Sequence, residues 1–195
     1  QQAAAGLAQY LLDTDPSARE RGVVIGYDAR RKSDVFAADT ARVMAAAGIP
    51  AKLFDQQVPT PVLAWSITEL DAAAGVVVTA SHNPPADNGY KVYLGDGAQI
   101  VPPQDRHISE RIAAVDATDV ALAPADHPLI TAVGDDHVDA YVASVPSVRR
   151  RPGVEGVPVA YTAMHGVGGA TVVRAFEASG LPAPAVVAEQ FEPDT

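Results

Sequence analysis

The sequence holds 195 residues, 48% of them hydrophobic, with 24 acidic and 14 basic side chains and a formal charge of -10. A chain of that length and apolar content buries at least one good core, and the negative charge argues against DNA or RNA as a partner, because clustered Lys and Arg supply most of that affinity. No cysteine occurs, which excludes a disulfide framework, a thiolate metal site and a thiol nucleophile.

Taken in chain order, the first strand signal is Gly22-Val23-Val24-Ile25-Gly26-Tyr27, a short apolar run punctuated by glycine, which leaves into a loop at Asp28-Ala29-Arg30. Ser33 or Asp34 can cap a helix running through Ala47, with Gly48 as its stop signal. Ile49 to Phe54 reads as the next strand. Pro59-Thr60-Pro61 opens a helix to about Leu70, since proline is tolerated in a first turn, and Gly75-Val76-Val77-Val78-Thr79 is the clearest buried strand. This alternation of strand and helix predicts a parallel sheet.

Gly89–Tyr93 and Ala98–Val101 are two further extended runs joined through Gly95-Asp96-Gly97, whose Asp-Gly step favours a hairpin. Ile108, Ile112 and Val115 have amphipathic helical spacing. Residues 116–135, rich in Asp, Ala and Pro, read as a surface connection, and Asp136–Val145 as a helix. Val157–Tyr161 then starts a second strand, loop, helix and strand series ending at Val186-Val187-Ala188, with a tight turn at Gly166–Gly169. The expected organisation is one α/β domain over residues 1–133 and the incomplete start of a second, similar one over 134–195. The first Gln1 and the extended segment at 191–195 suggest part of a longer protein.

No apolar stretch approaches the roughly 20 residues of a membrane helix. No secretion signal is visible either, so a cytoplasmic location without a membrane partner is expected. Nothing in the sequence indicates an oligomeric state.

Chemistry concentrates where the buried strand runs into Thr79-Ala80-Ser81-His82-Asn83-Pro84-Pro85. In open α/β sheets ligands gather beyond the C-terminal ends of strands, which puts Ser81 where a substrate would sit. His82 and Lys91 are close enough in sequence to activate an oxygen nucleophile or steady developing charge. Adjacent Ser and His need not face each other, and such residues together often only build a turn. Arg30 can hold a phosphate with its planar fork or pair with Asp28 or Asp34. His165, beside glycines, reads as a loop histidine satisfied by its surroundings. Ser81 lacks the Gly-x-Ser-x-Gly elbow of a serine hydrolase.

The stretch 79–85, followed by Asn88-Gly89-Tyr90-Lys91-Val92-Tyr93, resembles the active-site segment of the alpha-D-phosphohexomutases, the phosphoglucomutase and phosphomannomutase family. Gly26–Arg30 with Ser33, Pro59-Thr60-Pro61 and Gly97–Ile100 match in the same order, and Tyr161–Gly169 is similar to the opening of the second domain, particularly in the phosphoglucomutase and phosphopentomutase branch. The resemblance implies a three-layer α/β/α domain with a mixed, mostly parallel sheet. It implies a phosphoserine at Ser81 that converts a sugar 1-phosphate to a 6-phosphate through a sugar bisphosphate, with glucose phosphate as the leading substrate and mannose or pentose phosphate as alternatives.

By the same resemblance His82 and Lys91 join Ser81 in catalysis, Arg30, Thr79 and Asn83 bind substrate or phosphate, and a phosphoserine oxygen on Ser81 is one ligand of Mg2+. The other metal ligands are aspartates of an Asp-Gly-Asp-type loop that the chain lacks; Gly95-Asp96-Gly97 is a turn. A glucose 1,6-bisphosphate-type activator is implied as well. The contrasting reading is a non-catalytic module that binds sugar phosphates.

Overall fold

The computed structural model describes residues 1–151 and 156–194. Helices α1 (Gln2–Thr14) and α2 (Ala18–Arg21) lead into strand β1 (Val23–Tyr27). Next come α3 (Ser33–Ala46), β2 (Ala51–Phe54), α4 (Thr60–Glu69) and β3 (Ala74–Val78). β4 (Tyr90–Leu94), α5 (Gln104–Ala114), β5 (Ile130–Val133) and α6 (Asp135–Ser144) follow. β6 (Ala160–Tyr161), α7 (Gly169–Ala178) and β7 (Ala185–Val186) form a small second unit, with β6 and β7 parallel.

The main sheet has the order β4-β3-β1-β2-β5. β1 pairs in parallel with β2 (Ile25 opposite Leu53) and β3 (Ile25 opposite Val76), while β4 runs antiparallel to β3 with Lys91 opposite Val77. Every residue of β3 is buried, as a strand covered on both faces must be. One face is sealed by Leu7 and Leu11 of α1, Ala37, Ala41 and Met44 of α3, and Ile108 of α5. The other is sealed by Val62, Leu63 and Ile67 of α4 with Val138 of α6. The result is the expected three-layer α/β/α arrangement around a mixed, mostly parallel sheet.

The sequence reading needs correction at three places. Residues 116–135 are not all connection, because Ile130–Val133 adds β5 to the sheet edge beside β2. Ala98–Val101 does not form a regular strand: after the turn at Gly97, φ +76°, the chain doubles back along β4 only briefly, through Leu94 N–H to Ala98 O, Ile100 N–H to Val92 O and an isolated bridge between Gln99 and Tyr93. Neither Ser33 nor Asp34 caps α3, whose N-terminal flanking residue is Lys32. The Ser33 hydroxyl is fully buried and donates instead to Asp28 Oδ1 at 2.8 Å.

Helix α1 approaches α5 closely at Gly6, where a Cβ would lie 2.4 Å from Ile112 Cγ1 and 2.6 Å from its Cα. No helix among the described residues is long and apolar enough to cross a membrane.

Helix α6 is pinned to α4 by His137, whose Nε2 lies 3.0 Å from Ser66 Oγ and whose ring packs tilted at 42° against that of Trp65, centroids 5.0 Å apart. Ser66 gives its one hydroxyl proton to Val62 O, so it accepts here and Nε2 carries a hydrogen. Burial pushes the His137 pKa down, against the opposing pull of Asp136 and Glu69. A depressed histidine favours the fold fully above its unfolded pKa of about 6.5 and progressively less as pH falls toward its folded value. The melting temperature is therefore expected to drop between about pH 7.5 and pH 5, and His137→Gln to flatten that slope. An equally steep slope in the variant would remove His137 from the account.

Candidate active site

Strand β3 ends at Val78, and the chain cannot continue straight because Ser81 has φ +57°, in the left-handed region. Such backbone costs on the order of 1–3 kcal/mol for a residue with a Cβ and persists only where its surroundings impose it. Thr79, buried beneath the loop, supplies part of that: its Oγ1 accepts from the Ser81 N–H at 3.0 Å, and its own N–H donates to Gly89 O at 3.1 Å. Gly89 passes so near that a Cβ there would stand 2.4 Å from Thr79 O. Two turns, Asn83 N–H to Ala80 O and Asp87 N–H to Pro84 O, fold the rest of the loop. Ser81 is thereby lifted into solvent at the C-terminal end of the most buried strand.

Arg30 comes from the loop after β1, the neighbour of β3 in the sheet. Its Nη1 donates to Pro84 O at 2.7 Å and Asp87 O at 3.0 Å, and its Nη2 to Ser81 O at 2.9 Å and Asn83 O at 2.7 Å. Nε faces Asp28 Oδ2 at 3.4 Å. Asp28 Oδ1 also takes the Arg30 backbone N–H at 3.0 Å, while Ser33 Oγ accepts from Asn88 Nδ2 at 3.0 Å. Asp28, Arg30, Ser33 and Asn88 thus knit two loops from adjacent strands into one body.

A cavity of about 530 Å³ opens over this body. Asp28, Arg30, Ser81, His82 and Asn83 line one side; Met164, His165, Gly166 and Asp194 line the other. Met164 and His165 are consecutive left-handed residues, φ +48° and +60°. His165 is held by main-chain bonds on both sides, its N–H to Gln190 O at 2.9 Å and its O from Asp194 N–H at 3.2 Å. Two histidines, His82 and His165, therefore reach one cavity from different loops.

Of the residues singled out in the sequence, Ser81, His82, Asn83 and Arg30 share the cavity wall. Thr79 lies under the loop, with its hydroxyl engaged by Ser81. Lys91 is half-buried in β4, in register with Val77. That position puts it on the α4 side of the sheet, and it is not part of the cavity wall. Asn88, Met164 and His165 belong to the site without having been assigned a role. The adjacent Met164-His165 pair ahead of a glycine turn was the available signal, but only the fold brings it opposite Ser81.

The donor set is a poor one for magnesium, which wants several hard oxygens in near-octahedral order. Among the described residues no three His, Asp or Glu side chains converge on one point. Asp28, the acid beside Ser81 in the wall, is occupied by Arg30 and Ser33. These residues do not fit the metal by themselves, and no step here runs through it.

The fold and this loop define a class: an open α/β domain that presents a strained serine at the carboxyl end of a central parallel strand, where ligands gather in sheets of this kind. Residues 1–119 match the model of the phosphoglucomutase/phosphomannomutase family, alpha/beta/alpha domain I. The chain belongs to that family.

It is 48% identical over 196 residues to a Haemophilus influenzae protein named "Probable phosphomannomutase", covering 99% of this chain and 39% of the relative. It is 35% identical over 205 residues to the phosphopentomutase of Homo sapiens, covering 97% of this chain and 33% of the relative. The crystal structure of a phosphoglucomutase/phosphomannomutase family protein from Burkholderia thailandensis is similar with a TM-score of 0.67 at 25% identity, covering 99% of this chain and 40% of that one. The chain thus spans no more than about two fifths of the length of these relatives.

Proposed function

We propose that this chain carries the phosphoserine of a phosphosugar mutase, and that Ser81 is the residue phosphorylated. The observation that carries the reading is Ser81 itself, exposed, left-handed and held by Thr79 at the mouth of a cavity shared with His82 and His165. In the reaction, phosphoserine at 81 passes its phosphoryl group to a free hydroxyl of a sugar monophosphate, and the hydroxyl proton leaves to a base. The bisphosphate turns over and returns its other phosphoryl group to Ser81 Oγ, releasing the isomeric monophosphate. Phosphoryl transfer of this kind rests on positioning and charge stabilisation rather than on elaborate covalent chemistry.

His82, at the loop surface, suits proton transfer at the reacting hydroxyl or contact with the phosphate; Asn83 offers its amide to the same phosphate. Lys91, on the strand behind, adds positive charge. A sugar bisphosphate such as glucose 1,6-bisphosphate is the activator that first loads the serine. Mg2+ would require carboxylates beyond those described here. For the sugar, the family resemblance favours glucose phosphate, and the names of the two relatives favour mannose or pentose phosphate.

The experiment is interconversion of 1-phosphates with 6-phosphates of glucose and mannose, and with the 5-phosphate of ribose, by the complete protein given a trace of sugar bisphosphate, followed by peptide mass spectrometry. Turnover of at least one sugar with phosphate on the Ser81 peptide is expected. A protein that binds these sugars but neither turns them over nor takes up phosphate would instead be a binding module.

A further inference from the structure

We infer that Arg30 is a positioning residue for phosphoryl transfer: it sets where Ser81 Oγ stands by gathering four carbonyls of the serine loop onto one guanidinium, and it does not bind the transferred group. The inference rests on the mutase reading of Ser81.

A guanidinium has five N–H donors in a fixed plane. Four of them point at Ser81 O, Asn83 O, Pro84 O and Asp87 O, at 2.7 to 3.0 Å. The fifth faces Asp28 at 3.4 Å. No donor is left to reach a phosphate without releasing a carbonyl. The side chain is only 13% exposed, as suits a part of the frame rather than a free arm.

Two consequences follow for the chemistry. Ser81 is strained at φ +57°, and a strained loop with unsatisfied carbonyls would relax toward ordinary backbone. The fork binds the residues 81 to 87 at both ends of that loop, while Asn88 ties its exit to Ser33 and through it to Asp28. The second consequence is electrostatic. Carbonyl oxygens are the negative ends of their dipoles, and a phosphoserine dianion nearby would be repelled by any that swung toward it. Arg30 turns four of them onto a cation, which holds their negative ends fixed away from the phosphate with no reorganisation during reaction. Lysine, a point charge with three donors, cannot span four acceptors.

The test uses the complete protein with Arg30→Ala and Arg30→Lys. Hydrogen exchange of the amides in 81–88 should speed up in both variants while the rest of β3 and α3 stays protected. kcat should fall on the order of 10²-fold in both, the size of loss a displacement of about 1 Å can bring, with KM changed little. Guanidinium at tens of millimolar should restore part of the Arg30→Ala rate and none of the Arg30→Lys rate.

A raised KM at unchanged kcat would overturn the inference and make Arg30 a phosphate ligand. So would unchanged exchange in 81–88. Should Arg30→Ala fail to fold, Arg30→Lys carries the same exchange and kcat comparison. Faster exchange in the two variants, alongside a wild-type protein that turns over no sugar phosphate, would leave the clamp standing and remove the mutase reading.

Discussion

Ser81→Ala in the complete protein is expected to abolish sugar phosphate interconversion by at least about 10⁴-fold, because loss of a covalent nucleophile leaves only binding and charge stabilisation behind. The fold should not notice. Ser81 is exposed, and its backbone conformation is imposed by Thr79 and Arg30 rather than by its own hydroxyl. Ser81→Gly sharpens the comparison: glycine accepts φ +57° freely, so this variant should be as inactive as the alanine one yet melt no lower than the parent. Phosphate incorporation from radiolabelled sugar bisphosphate reads the chemistry, and thermal unfolding reads the fold. Retained incorporation in either variant would move the phosphoryl acceptor elsewhere.

Gly89→Ala should harm both stability and activity through one contact. The added methyl would sit 2.4 Å from Thr79 O and 3.2 Å from Ala80 Cα. Both are backbone atoms of the segment that sets Ser81, so no side-chain rotation relieves the clash. Forcing extra volume into so tight a place typically costs about 1–3 kcal/mol. The segment can yield only by breaking the Thr79 N–H to Gly89 O bond or by shifting the serine. A shift of about an ångström is enough for a loss on the order of 10²-fold in kcat. Urea unfolding and steady-state kinetics on the same preparation check the two effects; wild-type values for both would mean that the strand ends part more easily than the packing suggests.

Much of the fold could be read from residue order. Valines and glycines at 23–27 and 75–78 announce strands buried on both faces, and the strand, helix and strand alternation places them side by side. What escaped did so for local physical reasons. Ile130–Val133 has only one buried residue, Val133, and it follows a polar, proline-containing stretch, so a short edge strand looked like the tail of a loop. Helix α1 went unread although Ala4, Leu7, Ala8 and Leu11 repeat at helical spacing and are all buried.

At the site, Ser81 stood out because a buried strand ends in turn-forming residues, and the family-like segments at 79–85 and 88–93 are what marked it. The part played by Arg30 was not legible, since five donors on a flexible stem can point at a phosphate or at the chain with equal ease, and only the three-dimensional loop offers four carbonyls at once. Ser33 looked like a helix cap for a similar reason: its hydroxyl fits either role until Asp28 and Asn88 are seen beside it. His165 was a loop histidine by local sequence and became part of the cavity only through the fold.

The edge strand β5 bears on how the molecule assembles. Among the described residues β2 is the only strand it pairs with, and the partners are far apart in the chain, Ala51 opposite Ile130 through Phe54 opposite Val133. During synthesis, then, β1, β2 and β3 can associate early, yet the open rim of β2 waits until residues 130–133 have emerged. A polypeptide ending at residue 119 would hold the whole serine loop and still expose that rim as a row of unpaired amides and carbonyls, a template for other chains. Closing so long a loop is also slow compared with local helix and hairpin formation. The rim of β2 is thus covered by the last strand of this sheet to be made.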